Sequence, residues 1–362
     1  MPSAGTSRIQ AIVGSYSDPV PHALDAHGAG LTVFDIDFTT GTSRIKFQDG
    51  SIANPAYLCI DQRRRIVYAL SEVWHAPEGA ITALQFDRDY ERVLARSEIP
   101  TGGAGPAYVS IVDGFALVAN YGSGSLASIR LSSDGHLDAC VSVLPVRGSG
   151  PDVERQRSAH PHCVIPHPSN GCMYVADLGA DKLLELHLDR SNGVLTIERE
   201  YPVAPGSGPR HLAFDPFGRL AFVVSELTSR LGVWAIGTTG HLHELQDLPM
   251  LPEGTVTVST GADVAVSEDG KRTFASNRGH DSVTVYRAAD DGRFWRSQTV
   301  PTGATPRSIA LTHGDAYLLV ANQDGDSIRV YDAREGAGLV ELFDVVVATP
   351  CCVKCVDLFV SD

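Results

Sequence analysis

A unit of about fifty residues recurs along this chain and constrains its fold more than any other feature. Six copies can be aligned, and their first residues lie 44 to 55 positions apart, at Asn54, Gly105, His160, Gly208, Gly261 and Thr305. Periods of ~40–50 residues are typical of β-propeller blades, each a sheet of about four short strands. The repeat therefore predicts a ring of similar sheets.

Each copy of the unit reads as a meander of short strands. An apolar segment meets a turn cluster such as Asp215-Pro216-Phe217-Gly218, and β-branched or aromatic runs separated by polar turns follow. No long window keeps the 3.6-residue periodicity of an amphipathic helix. We predict an all-β protein in which helix is nearly absent.

Two stretches outside the six copies predict a seventh blade. They are QAIVGSY with GLTVFDID near the N-terminus, and LVELFDVVVA near the C-terminus. Strands from both ends would close the ring and remove the exposed sheet edges of an open array. We therefore expect one seven-bladed β-propeller domain spanning residues 1–362.

Composition and charge narrow the classes of partner. Lys and Arg number 29 against 43 Asp and Glu, so the formal charge is −14, which argues against a nucleic-acid binder. No apolar run approaches the ~18 residues of a membrane span, and no secretory signal is evident, so we expect a cytoplasmic protein.

Seven cysteines are sparse and predict reduced thiols. Cys351, Cys352 and Cys355 lack a second ligand pair at zinc-site spacing.

The unusual ionisable residues fall on one face of this predicted ring. If the first strand of each unit is innermost, the loop before it and the loop after the second strand share a face. One group stands at the starts of first strands: His160, His162, Arg210, His211 and Arg307. Another stands at the ends of second strands: Glu72, Asp177, Glu226, Arg278 and Asp324. Because propellers bind ligands at one mouth, we predict the site there.

The residue types in this group suggest several kinds of chemistry. On an extended strand His160 and His162 would point to the same side, as an acid/base pair, an anion-binding pair or a plain strand start; a metal site would need a third ligand. Arg210 and Arg278 stay protonated and bind oxyanions, or else pair with neighbouring carboxylates. Glu226 ends an apolar strand, where desolvation would raise its pKa and an ion pair with Arg210 would lower it.

Four segments of the chain resemble the seven-bladed lactonase family: QRSAHPHCVIPHPSNGCMYVADLGADKL, GSGPRHLAFDPFGRLAFVVSELTS, DVAVSEDGKRTFASNRGHDSVTVY and VPTGATPRSIALTHGDAYLLVANQDGDSIRVY. That family contains bacterial propeller-type 6-phosphogluconolactonases and fungal 3-carboxy-cis,cis-muconate lactonizing enzymes. The resemblance runs nearly end to end. It implies a cytoplasmic enzyme that opens or forms a lactone ring without a dedicated cofactor.

The resemblance also implies site residues. The catalytic candidates are His160, His162, Arg210, Glu226 and Arg278. The substrate-binding candidates are Glu72, Tyr108, Asn120, Asp177, His211, Asn277, Arg307 and Asn322. The chain departs from the family pattern at Tyr108 and Ala265, where histidines are expected, and at Ser225, where Asn is usual. These departures bear more on which substrate the protein takes than on which class of reaction it catalyses.

Three functions follow from this sequence. The first is a lactonase for a small anionic sugar acid such as 6-phosphogluconolactone, in which Glu226, His160 or His162 activates water and Arg210 or Arg278 binds the oxyanion. The second is a carboxymuconate-type cycloisomerase acting on a polycarboxylate. The third is a non-catalytic ligand-binding propeller. No metal, cofactor, nucleic acid or membrane is expected, and the sequence leaves ring size, phosphorylation and oligomeric state open.

Overall fold

Four-stranded antiparallel sheets make up the protein. The computed structural model describes residues 7–74, 76–237, 240–336 and 338–356, and these ranges contain seven such sheets. The first fourteen strands are β1 (Arg8–Ser15), β2 (Leu31–Asp37), β3 (Thr42–Asp49), β4 (Pro55–Asp61), β5 (Ile66–Ser71), β6 (Ala80–Phe86), β7 (Val93–Pro100), β8 (Pro106–Val112), β9 (Phe115–Asn120), β10 (Ser125–Leu131), β11 (Leu137–Pro145), β12 (Pro161–Pro166), β13 (Met173–Asp177) and β14 (Lys182–Leu188). The others are β15 (Leu195–Pro202), β16 (Pro209–Phe214), β17 (Leu220–Ser225), β18 (Arg230–Ile236), β19 (Leu242–Pro249), β20 (Thr260–Val266), β21 (Arg272–Arg278), β22 (Ser282–Ala288), β23 (Phe294–Pro301), β24 (Pro306–Leu311), β25 (Tyr317–Asn322), β26 (Ser327–Asp332), β27 (Val340–Val346) and β28 (Pro350–Val356).

The seven sheets form a closed ring. Six consecutive sets of four strands, from β4–β7 to β24–β27, are blades 1 to 6, and β28 with β1–β3 is blade 7. The innermost strands β4, β8, β12, β16, β20, β24 and β28 each contact the next around the axis, and β28 contacts β4. The predicted seven-bladed propeller is confirmed. Across the described ranges the sole helical segment is the 3₁₀ turn His313–Asp315, and none of their helices is long and apolar enough to cross a lipid bilayer.

Burial explains why the strands differ in sequence along each blade. Every residue of β5 is buried, because this strand packs against neighbouring blades on both faces. The outermost strand β7 instead alternates between partly buried and exposed residues, since one face meets solvent. Apolar clusters between adjacent blades form the core, so the axis is left for polar side chains.

The ring closes through a different C-terminal strand from the one we expected. Both termini do contribute to blade 7, but its innermost strand is β28, PCCVKCV, which pairs with β1. The segment LVELFDVVVA forms β27, the outermost strand of blade 6. The reason is burial: the residues of β27 are mostly exposed, whereas those of β28 are mostly buried.

Every innermost strand carries one extra residue near its start. In six of the seven strands the first residue is Pro, which cannot donate to the ladder. The pairing register with the neighbouring strand then shifts by one residue. The bulged residues are Ala56, Ala107, His162, Arg210, Arg307 and Cys351. In β20 the shift lies between Gly261 and Val264. A bulge changes the direction in which a side chain points. All seven register shifts lie at the same end of the axis, where the innermost strands start.

Ring closure by β28 predicts a site-specific loss of stability. Val353 is fully buried between blades 6 and 7, so Val353→Asp would bury an unpaired carboxylate and lower the free energy of unfolding by at least about 3 kcal/mol. Val346→Asp on β27, 85% exposed, is the matched control and should change it by no more than about 0.5 kcal/mol. Urea unfolding measures both, and equal midpoints would contradict this closure.

Candidate active site

One cavity of about 350 Å³ lies at the end of the axis where the bulges occur. All six bulged side chains that follow a proline line it: Ala56, Ala107, His162, Arg210, Arg307 and Cys351. The ends of second strands contribute Glu72, Glu226 and Arg278, as their positions in the repeat predicted. Seven of the thirteen candidate residues therefore meet in one cavity: Glu72, His162, Arg210, His211, Glu226, Arg278 and Arg307.

Glu226 forms the centre of a buried ion-pair network. Its Oε2 lies 3.0 Å from Arg210 Nε and 2.8 Å from Arg278 Nη2, and its Oε1 lies 2.6 Å from Arg155 Nη2. Burial alone would raise the pKa of Glu226, but the guanidiniums of Arg278, Arg210 and Arg155 hold it well below its usual range. Glu226 is therefore a fixed anion, poorly suited to accept a proton at neutral pH.

Backbone carbonyls fix the arginines that surround Glu226. Arg210 Nη1 donates to the carbonyl of Ala262 at 2.6 Å, and Arg278 Nη2 donates to the carbonyl of Gly261 at 3.1 Å. Burial and the neighbouring guanidiniums lower the pKa of Arg210, yet a guanidinium stays charged at neutral pH. The network therefore presents preorganised cationic donors to the cavity.

Arg307 differs from these arginines because it has no direct ionic partner. Its guanidinium lies over the ring of Tyr16, 5.3 Å from the centroid, and its Nη2 is 3.3 Å from His22 Nε2. The nearby Glu72 instead accepts hydrogen bonds from Tyr16 Oη at 2.8 Å and Trp74 Nε1 at 2.9 Å. In the part of the chain that the structure describes, no carboxylate forms an ion pair with Arg307. Its charge is available to a ligand.

Three cavity histidines are neutral at physiological pH. Burial, reinforced by nearby arginines, lowers the pKa of His22 to about 2 and that of His211 to about 4, and holds that of His162 well below its ordinary value. The rings of His162 and His211 meet edge to face with centroids 5.1 Å apart. His162 Nδ1 is buried and has no hydrogen-bond partner among the described residues.

The expectation that His160 and His162 point to the same side is wrong. The bulge at residue 162 breaks the alternation of the strand, so His162 enters the cavity and His160 does not. The ring of His160 stacks on Tyr121 at 4.6 Å, and its Nδ1 lies 2.8 Å from the Tyr121 carbonyl oxygen. The two imidazoles do not form a pair.

Five other candidates lie outside the cavity wall. Asn120, Asn277 and Asn322 form hydrogen bonds with carbonyl and hydroxyl groups of adjoining strands and loops. Asp177 accepts the backbone N–H groups of His160 and Gly179, and burial raises its pKa to about 6. These four side chains brace the ends of second strands. They do not line the cavity in which a substrate would bind.

Tyr108, the fifth of these candidates, lies next to His211. Its ring stacks on Tyr57 at 4.0 Å, and its centroid is 5.2 Å from that of His211. Lys354 Nζ donates to Tyr57 Oη at 3.1 Å. Tyr57 lines the cavity beside His211, and Tyr108 and Lys354 support the two residues from behind the wall.

Sequence reasoning missed several cavity residues, among them His22, Trp74, Tyr121 and Arg155. His22, Trp74 and Arg155 lie in loops outside the aligned segments, and Arg155 occupies the loop between β11 and β12, where no other copy of the unit offers a counterpart. The repeat therefore carries no signal for these three. Tyr121 directly follows β9 inside an aligned copy, where its residue type did not mark it as a site residue.

Comparison with known proteins assigns the chain to a family. A family model described as Lactonase, 7-bladed beta-propeller matches residues 10–355. The chain belongs to this family. It is 30% identical over 332 residues to the 6-phosphogluconolactonase of Bacillus subtilis strain 168, covering 90% of this chain and 94% of that protein. The resemblance drawn from the sequence motifs is confirmed.

Further relatives agree with this lactonase family assignment. The chain is 28% identical over 328 residues to the 6-phosphogluconolactonase of Formosa agariphila, covering 88% of this chain and 91% of that one. The structure of the periplasmic gluconolactonase of Pseudomonas aeruginosa superposes with a TM-score of 0.88 at 28% identity, covering 97% of this chain and 100% of that one. The seven-bladed architecture is thus shared at full length.

The neutral state of His162 predicts how stability depends on pH. An unfolded imidazole takes up a proton near pH 6.5, whereas buried His162 does not, so the free energy of unfolding falls as pH drops below about 6.5. His162→Asn should reduce this slope between about pH 6 and pH 5 by about 1.4 kcal/mol per pH unit, as measured by urea unfolding. The exposed His243→Asn is the control that should leave the slope unchanged. A wild-type slope in His162→Asn would contradict a buried neutral imidazole.

Proposed function

We propose that this protein hydrolyses the lactone of a small anionic sugar acid, such as 6-phosphogluconolactone, by attack of water on the ring carbonyl. The observation that carries this proposal is the charge of the cavity. Among the described residues that line it, four guanidiniums, Arg155, Arg210, Arg278 and Arg307, face two carboxylates, Glu226 and Glu72, for a formal surplus of two positive charges. In a chain of net charge −14 this surplus favours a small anion.

The geometry suits ester hydrolysis. As water attacks the carbonyl carbon, the carbonyl oxygen gains negative charge that Arg210 or Arg278 can stabilise, and such donors contribute roughly 2.7–4 kcal/mol each in other enzymes. A neutral imidazole takes the proton of the water, because Glu226 is held as an anion by three ion pairs. When the bond to the ring oxygen breaks, that oxygen receives the proton and the product is a hydroxy acid.

Arg307 is our candidate for binding the anionic substituent of the substrate. Arg307 is the bulged residue of β24, the innermost strand of blade 6. No ion pair within the described ranges neutralises its charge. A bound phosphate would accept charge-assisted hydrogen bonds from its planar guanidinium. Elsewhere on the cavity wall, Trp74 and Tyr121 offer ring surface against which the carbon skeleton of a sugar can pack.

The family assignment supports the reaction class. Two relatives are named 6-phosphogluconolactonase and one solved structure is named a gluconolactonase. The Bacillus relative and this chain align over nearly their whole lengths. We extend the lactonase activity to this chain because its cavity holds the cationic donors and the neutral imidazoles that the reaction requires.

The free charge of Arg307 predicts which substrates depend on it. Arg307→Met should lower kcat/KM for 6-phosphogluconolactone by about 10- to 100-fold, since a charge-assisted hydrogen bond contributes ~1.5–3 kcal/mol. For unphosphorylated gluconolactone the change should stay within about threefold. A pH-stat or product-coupled assay, corrected for spontaneous hydrolysis, measures both.

Arg190→Met is the control for Arg307→Met, because exposed Arg190 pairs with Asp113 far from the cavity. It should leave both rates unchanged. Equal losses for the two lactones in Arg307→Met would contradict the anion-binding role. Wild-type protein that hydrolyses neither lactone above the spontaneous rate, or that turns over only a muconate, would overturn the proposed function.

A further inference from the structure

His211 and Asp263 form a buried pair between two neighbouring innermost strands. His211 Nδ1 lies 2.8 Å from Asp263 Oδ1, and the two residues are 4% and 6% exposed. The carboxylate is itself fixed, because its Oδ1 accepts the N–H of Val264 at 2.9 Å and its Oδ2 accepts the N–H of Ile309 at 3.0 Å. Asp263 thus spans β16, β20 and β24 and has little freedom to turn.

This contact determines the tautomer of His211. An ionised carboxylate only accepts hydrogen bonds, so the hydrogen of the neutral ring is on Nδ1 and the lone pair is on Nε2. His211 lines the cavity, and its Nε2 is 3.3 Å from Arg210 Nη1. Arg210 gives its short hydrogen bond, 2.6 Å, to the Ala262 carbonyl. The Nε2 contact is a long hydrogen bond, so a water molecule reaches the lone pair by displacing Arg210 Nη1 from it.

The other bases of the cavity lack such an arrangement. Glu226 is held by three ion pairs. His22 Nε2 is already 2.8 Å from Tyr16 Oη. His162 Nδ1 has no partner in the described part of the chain, so no carboxylate orients its ring. Among these groups, His211 combines a neutral ring, an orienting carboxylate and a place in the cavity wall.

We propose that His211 Nε2 is the general base of the lactonase reaction and that Asp263 is the positioning residue that fixes its tautomer and orientation. This inference rests on the proposed function. Nε2 removes a proton from water as the water oxygen bonds to the carbonyl carbon, and Arg210 binds the developing oxyanion. The carbon–oxygen bond of the ring then breaks, and the proton passes from Nε2 to the departing ring oxygen.

The groups that face His211 keep it unprotonated before reaction. Besides Asp263 they are Arg210 on the same strand, His162 on β12, Tyr57 on β4, Tyr108 on β8 and Lys354 on β28. Burial, together with Arg210 and Lys354, lowers the pKa of His211 to about 4 against the opposing effect of Asp263. The ring is therefore unprotonated throughout the neutral range, and Asp263 is the neighbour that strengthens Nε2 as a base.

Two substitutions test the role of the base and the role of the positioning residue separately. His211→Asn keeps an amide donor toward Asp263 but removes Nε2, so kcat should fall by about 10²- to 10⁴-fold while KM changes by less than about threefold. Asp263→Asn offers Nδ1 an amide donor and moves the ring hydrogen to Nε2. It should cause a similar loss of kcat with little change in KM.

A readout without substrate tests the positioning role directly. In ¹⁵N-histidine-labelled protein, long-range ¹H–¹⁵N correlation should show His211 as the Nδ1–H tautomer in the wild type and as the Nε2–H tautomer in Asp263→Asn. The histidine signal that is missing from the spectrum of His211→Asn is the signal of His211. A wild-type Nε2–H tautomer would overturn the proposal whatever the activity.

The outcomes distinguish this inference from the proposed function. If the wild type hydrolyses lactones and His211→Asn keeps at least a third of wild-type kcat, the base assignment fails and the lactonase function stands. If the wild type hydrolyses no lactone, both fail. Urea unfolding checks that the variants are folded, and should Asp263→Asn not fold, His211→Asn and the wild-type tautomer decide the matter.

Discussion

The extra residue at the start of each innermost strand is the constraint on which the site depends. In a regular strand, side chains alternate between the two faces of the sheet, and in this ring both faces pack against neighbouring blades. A bulge breaks that alternation, and in six of the seven blades the bulged side chain lines the cavity. Proline at the preceding position suits this geometry, because it does not contribute a donor to the ladder.

The order of the bulged residues around the ring divides the cavity into two parts. Cys351, Ala56 and Ala107 stand on three consecutive blades and are small, so they leave space beneath the loops of the mouth. His162, Arg210 and Arg307 stand on the other side and carry the polar groups. The charges there are costly to bury, and Glu226 with the carbonyls of Gly261 and Ala262 offsets much of that cost. The small side chains thus leave space for a ligand, and the ion pairs and carbonyls hold the cationic donors rigidly around that space.

Much of this arrangement follows from the sequence, and the part that does not has a physical reason. The repeat predicts the seven blades and the face on which Arg210, Glu226 and Arg278 meet. It does not reveal the bulge, which brings His162 into the cavity and leaves His160 outside it. The sequence leaves the direction of the Glu226 pKa shift open, and ion pairing with arginines from three separate loops and strands lowers it. The cellular compartment stays a prediction.

The most direct test of the account is a crystal structure of the wild-type protein with 6-phosphogluconate, the product of the proposed reaction. We expect the product in the cavity at the bulged ends of the innermost strands, with its phosphate on Arg307 and its carboxylate near Arg210 and His211 Nε2. Binding at any other place on the propeller, or an empty cavity at saturating product, would contradict the account.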